Sequence, residues 1–332
     1  MTPTRRGVIG AVLGAAASAR MRAAGASTSA PEAATLLAPG PEDGAAAAFA
    51  RRAAGGLARG LVQAAALRVS AVGGSDGITA ANRFATISPA AEGRVLLLLP
   101  GAAAQAQLVG DSRARYEPRH WPAVCGSLMP AVLAGRMPAS PAAPIRVAIP
   151  GLGAAEAAGL LALDLLGRRT APVVIPAGQA PDAAIAQGQA DAVLLCGAEI
   201  LPRAARMGVQ PWFSFDSPGL AREAALPDLP TLGDLLPDPA QPVLMEAVRA
   251  AAGALRTRGL LVLPALTSAD TVALWRGAAR RWAEEERDGV EPGTRRVADG
   301  EAASMLATLC PAPEVALAYR EWLLRRFNWR AA

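Results

Sequence analysis

The sequence contains no lysine, one histidine and three cysteines among its 332 residues. All 33 basic residues are therefore arginine, which we interpret as a bias of composition and not as a feature of a binding surface. The single histidine, His120, excludes a histidine-rich metal site, and a Ser-His-Asp hydrolase would have to use it as the base. We therefore predict no catalytic residue, no metal site and no cofactor, and we expect His120 to be a surface or hinge residue.

The three cysteines, Cys125, Cys196 and Cys310, lie far apart and form no Cys-x-x-Cys pattern. In an oxidising compartment they permit one disulfide with one thiol left over, and the sequence does not select the pair. Three buried thiols are the commoner arrangement for such residues. Their spacing predicts neither a catalytic nor a metal-binding thiol.

Positive charge is concentrated only at the N-terminus. The first 26 residues hold four arginines and no acid, so the rest of the chain has 29 arginines against 28 acids. Those 29 arginines are scattered singly or in isolated pairs, whereas a protein that binds nucleic acid concentrates its basic residues on one face. The sequence therefore predicts no nucleic-acid partner.

The N-terminal segment has the pattern of an export signal. Arg5 and Arg6 precede an apolar stretch from Val8 to Ala19, which is shorter than the roughly 20 residues that a membrane-spanning helix needs. Small residues before Ser27 offer a cleavage site. We predict a signal peptide over residues 1–26, cleaved on export to the periplasm. The Thr-Arg-Arg order resembles a twin-arginine signal, and an ordinary secretory signal is the alternative.

Short apolar runs alternate with helical stretches along most of the chain. The run 95–99, which ends at Pro100 and Gly101, predicts a buried strand, and similar runs occur at 67–72, 145–149, 172–175 and 192–195. This alternation is typical of an α/β chain with parallel sheets between helices. It occurs twice, on either side of a proline-rich middle, and so predicts two similar lobes with a cleft between them.

Several segments carry a resemblance to a known family. They are residues 38–44 with 49–51, residues 68–74 with 80–81 and 89–97, residues 116–121, residues 188–191 and residues 226–231. In this order they resemble the periplasmic receptors of tripartite tricarboxylate transporters, also called Bug proteins. The most specific match is Leu226-Pro227-Asp228-Leu229-Pro230-Thr231, similar to the family's Leu-Pro-Asp-Val-Pro-Thr. The resemblance extends over residues 35–285.

The resemblance implies a two-lobed, periplasmic-binding-protein-like fold in which each lobe is a mostly parallel sheet flanked by helices. We expect lobe 1 to comprise residues 27–125 and 240–332, and lobe 2 to comprise residues 126–239. The implied function is that of a monomeric receptor that captures a small carboxylate-bearing solute for membrane transporter subunits. The alternative is a sensory or structural protein on the same scaffold that has lost tight solute binding.

The resemblance also implies where the solute is held, because the family binds a carboxylate between loops of the two lobes through backbone N–H groups and helix N-termini. Carried onto this sequence, the expected ligand-binding residues are Gly40, Pro41, Glu42, Asp43, Gly44, Gly101, Ala102, Gly151, Leu152, Gly153, Ala154, Pro176, Ala177 and Cys196. Plain turns between strand and helix are the alternative at these loops.

The second-lobe loop departs from the family pattern, since residues 150–156 carry no hydroxyl where the family has glycine, serine and threonine. The spacing of Gly151, Gly153 and Glu156 after a strand also resembles part of a dinucleotide-binding fingerprint. The third glycine is missing, and no acid follows the next strand to bind a ribose. We therefore favour the solute-receptor interpretation.

Overall fold

The computed structural model describes residues 31–61, 66–88, 93–136, 140, 143–215, 222–223, 226–286 and 293–331. The predicted signal peptide lies outside the described residues. Within the described ranges, no helix is both long enough and apolar enough to cross a membrane.

Eleven strands and eleven α-helices follow one another along the described chain. The strands are β1 (Ala33–Pro39), β2 (Ala66–Val72), β3 (Val95–Leu99), β4 (Ala123–Leu128), β5 (Ala131–Gly135), β6 (Ile145–Ile149), β7 (Thr170–Val174), β8 (Ala192–Cys196), β9 (Gln210–Ser214), β10 (Thr257–Val262) and β11 (Arg295–Ala298). The helices are α1 (Ala45–Gly60), α2 (Ile78–Ala85), α3 (Gly101–Val109), α4 (Ala158–Leu165), α5 (Pro181–Ala186), α6 (Ile200–Met207), α7 (Leu232–Leu235), α8 (Pro242–Arg256), α9 (Ala269–Glu285), α10 (Asp299–Leu309) and α11 (Pro313–Phe327).

The strands form two sheets, which confirms the predicted α/β fold. One sheet has six strands in the order β11-β4-β10-β3-β1-β2, and the other has five in the order β7-β6-β8-β5-β9. Both sheets are mixed and not mostly parallel. In the first, β1 pairs in parallel with β2 and β3, whereas β10 and β11 pair antiparallel. In the second, β5 is antiparallel to both its neighbours.

The chain passes from the first sheet to the second between β4 and β5, and it returns between β9 and β10. The proline-rich middle thus contains two fully buried strands. The predicted division into lobes stays a prediction. Its first boundary, between residues 125 and 126, falls inside β4.

Strand β3 shows why the sequence folds into layers. Its leucines alternate between the two faces of the six-stranded sheet, so that Leu97 and Leu99 pack in one core and Leu96 and Leu98 in the other. All four are at most 1% exposed. A strand that is buried on both faces has no polar face, which explains the uninterrupted apolar run.

Candidate functional site

A cleft with a volume of 620 Å³ lies where loops of the two sheets meet. The turn that follows β3 supplies Pro100, Gly101 and Ala102, and the loop that follows β6 supplies Pro150 and residues 153–156. The carboxyl ends of strands in α/β sheets are where such folds bind ligands. The cleft is therefore the candidate functional site.

Two helix starts face this cleft from different sheets. Helix α3 begins at Gly101, directly after Pro100, and no side chain caps it. A short 3-10 helix, Ala155–Ala157, leads from the β6 loop into α4 and also lacks a side-chain cap. The backbone N–H groups of a first helical turn have no partner inside the helix and carry partial positive charge. Both features favour an anionic or hydrogen-bond-accepting group.

Three of the four charged side chains of the cleft form one network at its edge. Arg113 contacts Asp111, with 2.7 Å between Nη2 and Oδ2, and Asp76, with 3.1 Å between Nη1 and Oδ2. Asp76 also accepts a hydrogen bond from the Ile78 backbone at the start of α2. The hydrogen bond from Arg113 lowers the pKa of Asp111. Two carboxylates against one guanidinium group give the network a formal net charge of minus one.

Glu156 is the fourth charged residue of the cleft, and it forms no ion pair among the described residues. Burial raises the pKa of its carboxyl, and a hydrogen bond from its own backbone offsets part of that rise. An ionised Glu156 competes with an anionic ligand for the positive potential of the helix start. A protonated Glu156 would instead donate a hydrogen bond to that ligand.

Gln105 joins the two walls of the cleft. Its side chain projects from α3, is 5% exposed, and donates a hydrogen bond of 3.0 Å from Nε2 to the carbonyl oxygen of Gly153. Its Oε1 is buried and accepts no hydrogen bond from any group that the structure describes. A buried carbonyl oxygen without a donor costs free energy. The hydroxyl of Tyr319, which is buried, lacks a partner in the described chain and lies beside the Gln105 side chain, is one donor for this oxygen, and a ligand or a water is another.

The C-terminal tail forms a further wall. Helix α11 ends at Asn328, which adopts a left-handed conformation with a φ of 51°. Trp329 then turns into the cleft and packs on the β6 loop. A Cβ placed on Gly153 would lie 2.7 Å from Cζ2 and Cη2 of Trp329, closer than real side chains approach. The absence of a side chain at Gly153 therefore makes room for the indole ring.

The structure brings four of the fourteen expected binding residues together in the cleft: Gly101, Ala102, Gly153 and Ala154. Gly151 and Leu152 belong to the same loop, and the space beside Gly151 is open. Gly101 faces protein and not ligand, since a Cβ there would lie 1.8 Å from the carbonyl oxygen of Ala254 in α8.

The other eight expected residues lie outside the cleft lining. Gly40, Pro41, Glu42, Asp43 and Gly44 form the turn before α1, where Pro41, Glu42 and Asp43 are exposed. Pro176 and Ala177 are exposed in a turn after β7. Cys196 donates a hydrogen bond from its thiol to the carbonyl oxygen of Leu255, with 3.6 Å between sulfur and oxygen. A ligand role for these eight residues stays a prediction.

Sequence reasoning missed most of the polar lining. Asp76 had a readable signal, because it stands in a glycine-rich turn directly after β2 and therefore at the same sheet edge as Gly101. Gln105, Asp111 and Arg113 follow β3 in a helix and a loop without a motif. Trp329 lies 176 residues from its contact Gly153, and no local pattern connects them.

One turn corrects the expectation that the chain contains no Gly-x-Ser-x-Gly pattern of a hydrolase. Residues 73–77 read Gly-Gly-Ser-Asp-Gly between β2 and α2, which fits the Gly-x-Ser-x-Gly of a nucleophile elbow. In the described part of the chain, neither Ser75 nor His120 has a hydrogen-bonded side-chain partner. His120 is exposed and lines a different cavity. The serine is therefore not activated by the one histidine.

The thiols of Cys125 and Cys310 are buried, and that of Cys196 is half-buried. All three cysteines are free in the structure, and burial raises the pKa of each to about 12. They are therefore protonated and poor nucleophiles at neutral pH. Among the described residues, no group of three histidine, cysteine, aspartate or glutamate side chains is placed to hold a metal ion.

Comparison with solved structures identifies the fold. No protein-family model matches the sequence, and no curated protein matches it. A TctC solute-binding protein from Polaromonas matches with a TM-score of 0.65 and 18% identity, over 89% of this chain and 98% of that one. The fold is therefore that of the TctC and Bug solute-binding proteins, as the sequence resemblance implied.

Two further solved structures have the same fold. An R. palustris protein with adipate matches with a TM-score of 0.54 and 15% identity, over 91% of this chain and 99% of that one. The periplasmic binding protein BugD matches with a TM-score of 0.51 and 17% identity, over 91% of this chain and 100% of that one.

Proposed function

We propose that this protein is a periplasmic receptor that holds a small carboxylate-bearing solute in the cleft and presents it, as a monomer, to the membrane subunits of a tripartite transporter. The observation that carries the proposal is the meeting of two helix starts, from α3 and from the 3-10 helix before α4, at one cleft between two sheets. Closure of two lobes around a solute gives a transporter a surface that differs from the empty form. The predicted signal peptide supports export.

The chemistry of the cleft suits one carboxylate at a defined place. The α3 start at Gly101 and Ala102 offers backbone N–H groups, and Arg113 offers a guanidinium group whose side chain is 64% exposed. The R. palustris protein of the same fold contains adipate. The rest of the lining is largely apolar, with Ile78, Val109 and Leu255 among its members, and it suits the methylene chain of such a solute.

Glu156 defines the protonation state of the complex. A carboxylate beside a second, half-buried carboxylate further raises the pKa of the latter. Binding of an anionic solute therefore takes up a proton, which converts Glu156 from a repelling acceptor into a donor. The buried Oε1 of Gln105 adds an acceptor, and it suits a solute that also carries a hydroxyl or an amine.

The second candidate is a sensory or structural protein that has lost tight solute binding. The position of Trp329 favours this second candidate, because the indole ring occupies part of the space between the two walls of the cleft. The acidic lining of Asp76, Asp111 and Glu156 points the same way, since it weakens the attraction for an anion.

Calorimetric titration with adipate separates the two candidates. The receptor predicts saturable 1:1 binding that is tighter in Glu156→Gln than in the wild type by a few-fold. Neutral adipamide is the matched probe, and it should bind more weakly than adipate. If neither adipate nor other dicarboxylates give heat with folded protein, the carboxylate assignment fails and the second candidate is favoured.

A further inference from the structure

A second cavity, with a volume of 880 Å³, differs from the cleft in its charge. Arg119 comes from the 3-10 helix Pro118–His120, Arg249 from α8 and Arg276 from α9, and all three line it. Glu246 is the one acid among the described lining residues, and it is exposed. Three arginines from three separate elements thus line one concave surface.

These three arginines are half-buried. None of the three forms an ion pair within the described residues, although arginines elsewhere in the chain commonly do. Like charges that converge in a half-buried site repel one another unless a counter-charge is present. With Glu246 counted, the described lining carries three positive charges against one negative charge.

The backbone fixes two of the guanidinium groups. Arg276 donates from Nε to the carbonyl oxygen of Ala123 over 2.9 Å, and Arg119 donates from Nη2 to the carbonyl oxygen of Pro311. Nε of Arg119 is buried and donates to no group in the part of the chain that the structure describes. An oriented guanidinium group loses less side-chain entropy when it binds an oxyanion. Ser304, on α10, adds a hydroxyl group to the lining.

We propose that this arginine-lined cavity binds a small oxyanion with at least two negative charges, such as a diphosphate or a phosphate ester, separately from the solute cleft. Guanidinium groups bind phosphate oxygens in pairs of parallel hydrogen bonds. The concave shape fits a small molecule, whereas a protein partner requires a wider and flatter surface.

The two cavities share helix α8, which lines one at its middle and the other at its C-terminal end. Among the described residues they share no lining member, but Arg249 and Leu255 lie six residues apart on α8, roughly 9 Å along its axis. An anion bound to Arg249 is thus held by α8, the same helix whose C-terminal end forms part of the cleft. The second site is independent of what the cleft binds.

Calorimetric titration with pyrophosphate at low ionic strength tests the site. The wild type should bind it, and the double variant Arg249→Gln/Arg276→Gln should bind at least about tenfold more weakly, because it removes two of the three charged hydrogen-bond donors. Arg83→Gln is the matched control, since Arg83 is exposed, lines neither cavity and forms no ion pair among the described residues. It should bind as the wild type does.

Three results would overturn the proposal. They are the absence of pyrophosphate binding to folded wild type, undiminished binding in Arg249→Gln/Arg276→Gln, and an equal loss in Arg83→Gln. Gly153→Val, which alters only the cleft, should retain pyrophosphate binding. Pyrophosphate binding by this variant shows that the arginine-lined cavity and the solute cleft can fail separately.

Discussion

Gly153 shows how the absence of one side chain makes room for another in the cleft. A Cβ added to a glycine of a binding loop commonly forces an unfavourable backbone angle or intrudes on a ligand. The structure instead places the indole ring of Trp329 there, 2.7 Å from where a Cβ would stand, and Gly153 is not among the residues with positive φ. Gly151, two residues earlier, faces open space. The two glycines have different roles that their spacing alone does not reveal.

The burial of the single residue Glu156 predicts how its replacement changes the stability of the protein. Because burial raises the pKa of its carboxyl, ionisation of Glu156 destabilises the folded state. Its contribution to stability is complete below the unfolded pKa of about 4.3 and is lost as the pH rises through the higher folded value. Glu156→Gln should therefore raise the free energy of unfolding at pH 7 by about 1 kcal/mol or less, and the gain should vanish near pH 4.

Urea unfolding at both pH values measures this difference. The control is Glu314→Gln, since Glu314 stands exposed in the first turn of α11, where a negative charge stabilises the helix. The control should lose stability at pH 7, opposite in sign to Glu156→Gln. Equal stability of Glu156→Gln and wild type at both pH values would contradict the assignment.

At the scale of elements, the most specific sequence motif turns out to have a structural role. Thr231, the last residue of Leu226–Thr231, is the N-cap of α7. Its hydroxyl accepts from the Asp234 backbone over 3.0 Å, and the Asp234 carboxylate accepts from the Thr231 backbone over 2.8 Å. This reciprocal pair is a capping box. The motif therefore identifies the scaffold and gives no information about the solute.

Thr231→Ala removes one half of this capping box. We expect a loss of about 1 kcal/mol in the free energy of unfolding, the usual cost of deleting an N-cap side chain. Thr231→Ser keeps a hydroxyl oxygen and should retain most of the stability. Denaturant unfolding checks both variants, and a loss of the same size in Thr231→Ser would show that the methyl group matters and not the cap.

The elements that the sequence predicted well are those with local signals. Strand β3 begins and ends where its leucine run does, because both faces of the strand are buried. Strands β4 and β11 pair with each other although about 170 residues separate them, and β4 mixes Gly126 and Ser127 into its apolar run. Antiparallel pairing with distant segments left no periodic pattern, and these strands were missed.

At the scale of the whole molecule, the cleft depends on contacts between distant parts of the chain. Gln105 on α3 bonds to Gly153 after β6, and Trp329 after α11 packs on the same glycine. The sequence predicted that the loops after β3 and β6 face a common cleft. It could not predict the tail that lies between them, because a single tryptophan near a chain end carries no signal of its partner.

The central claim is that a solute binds in this cleft, and native mass spectrometry of gently purified protein tests it most directly. We predict one small molecule bound per wild-type chain. Gly151→Val should retain it, because a Cβ there meets nothing within 4 Å, and Gly153→Val should lose it, because the new side chain displaces Trp329 into the cleft. Circular dichroism must show both variants folded. Bound ligand in Gly153→Val at the wild-type level, or its loss in both variants alike, would contradict the account.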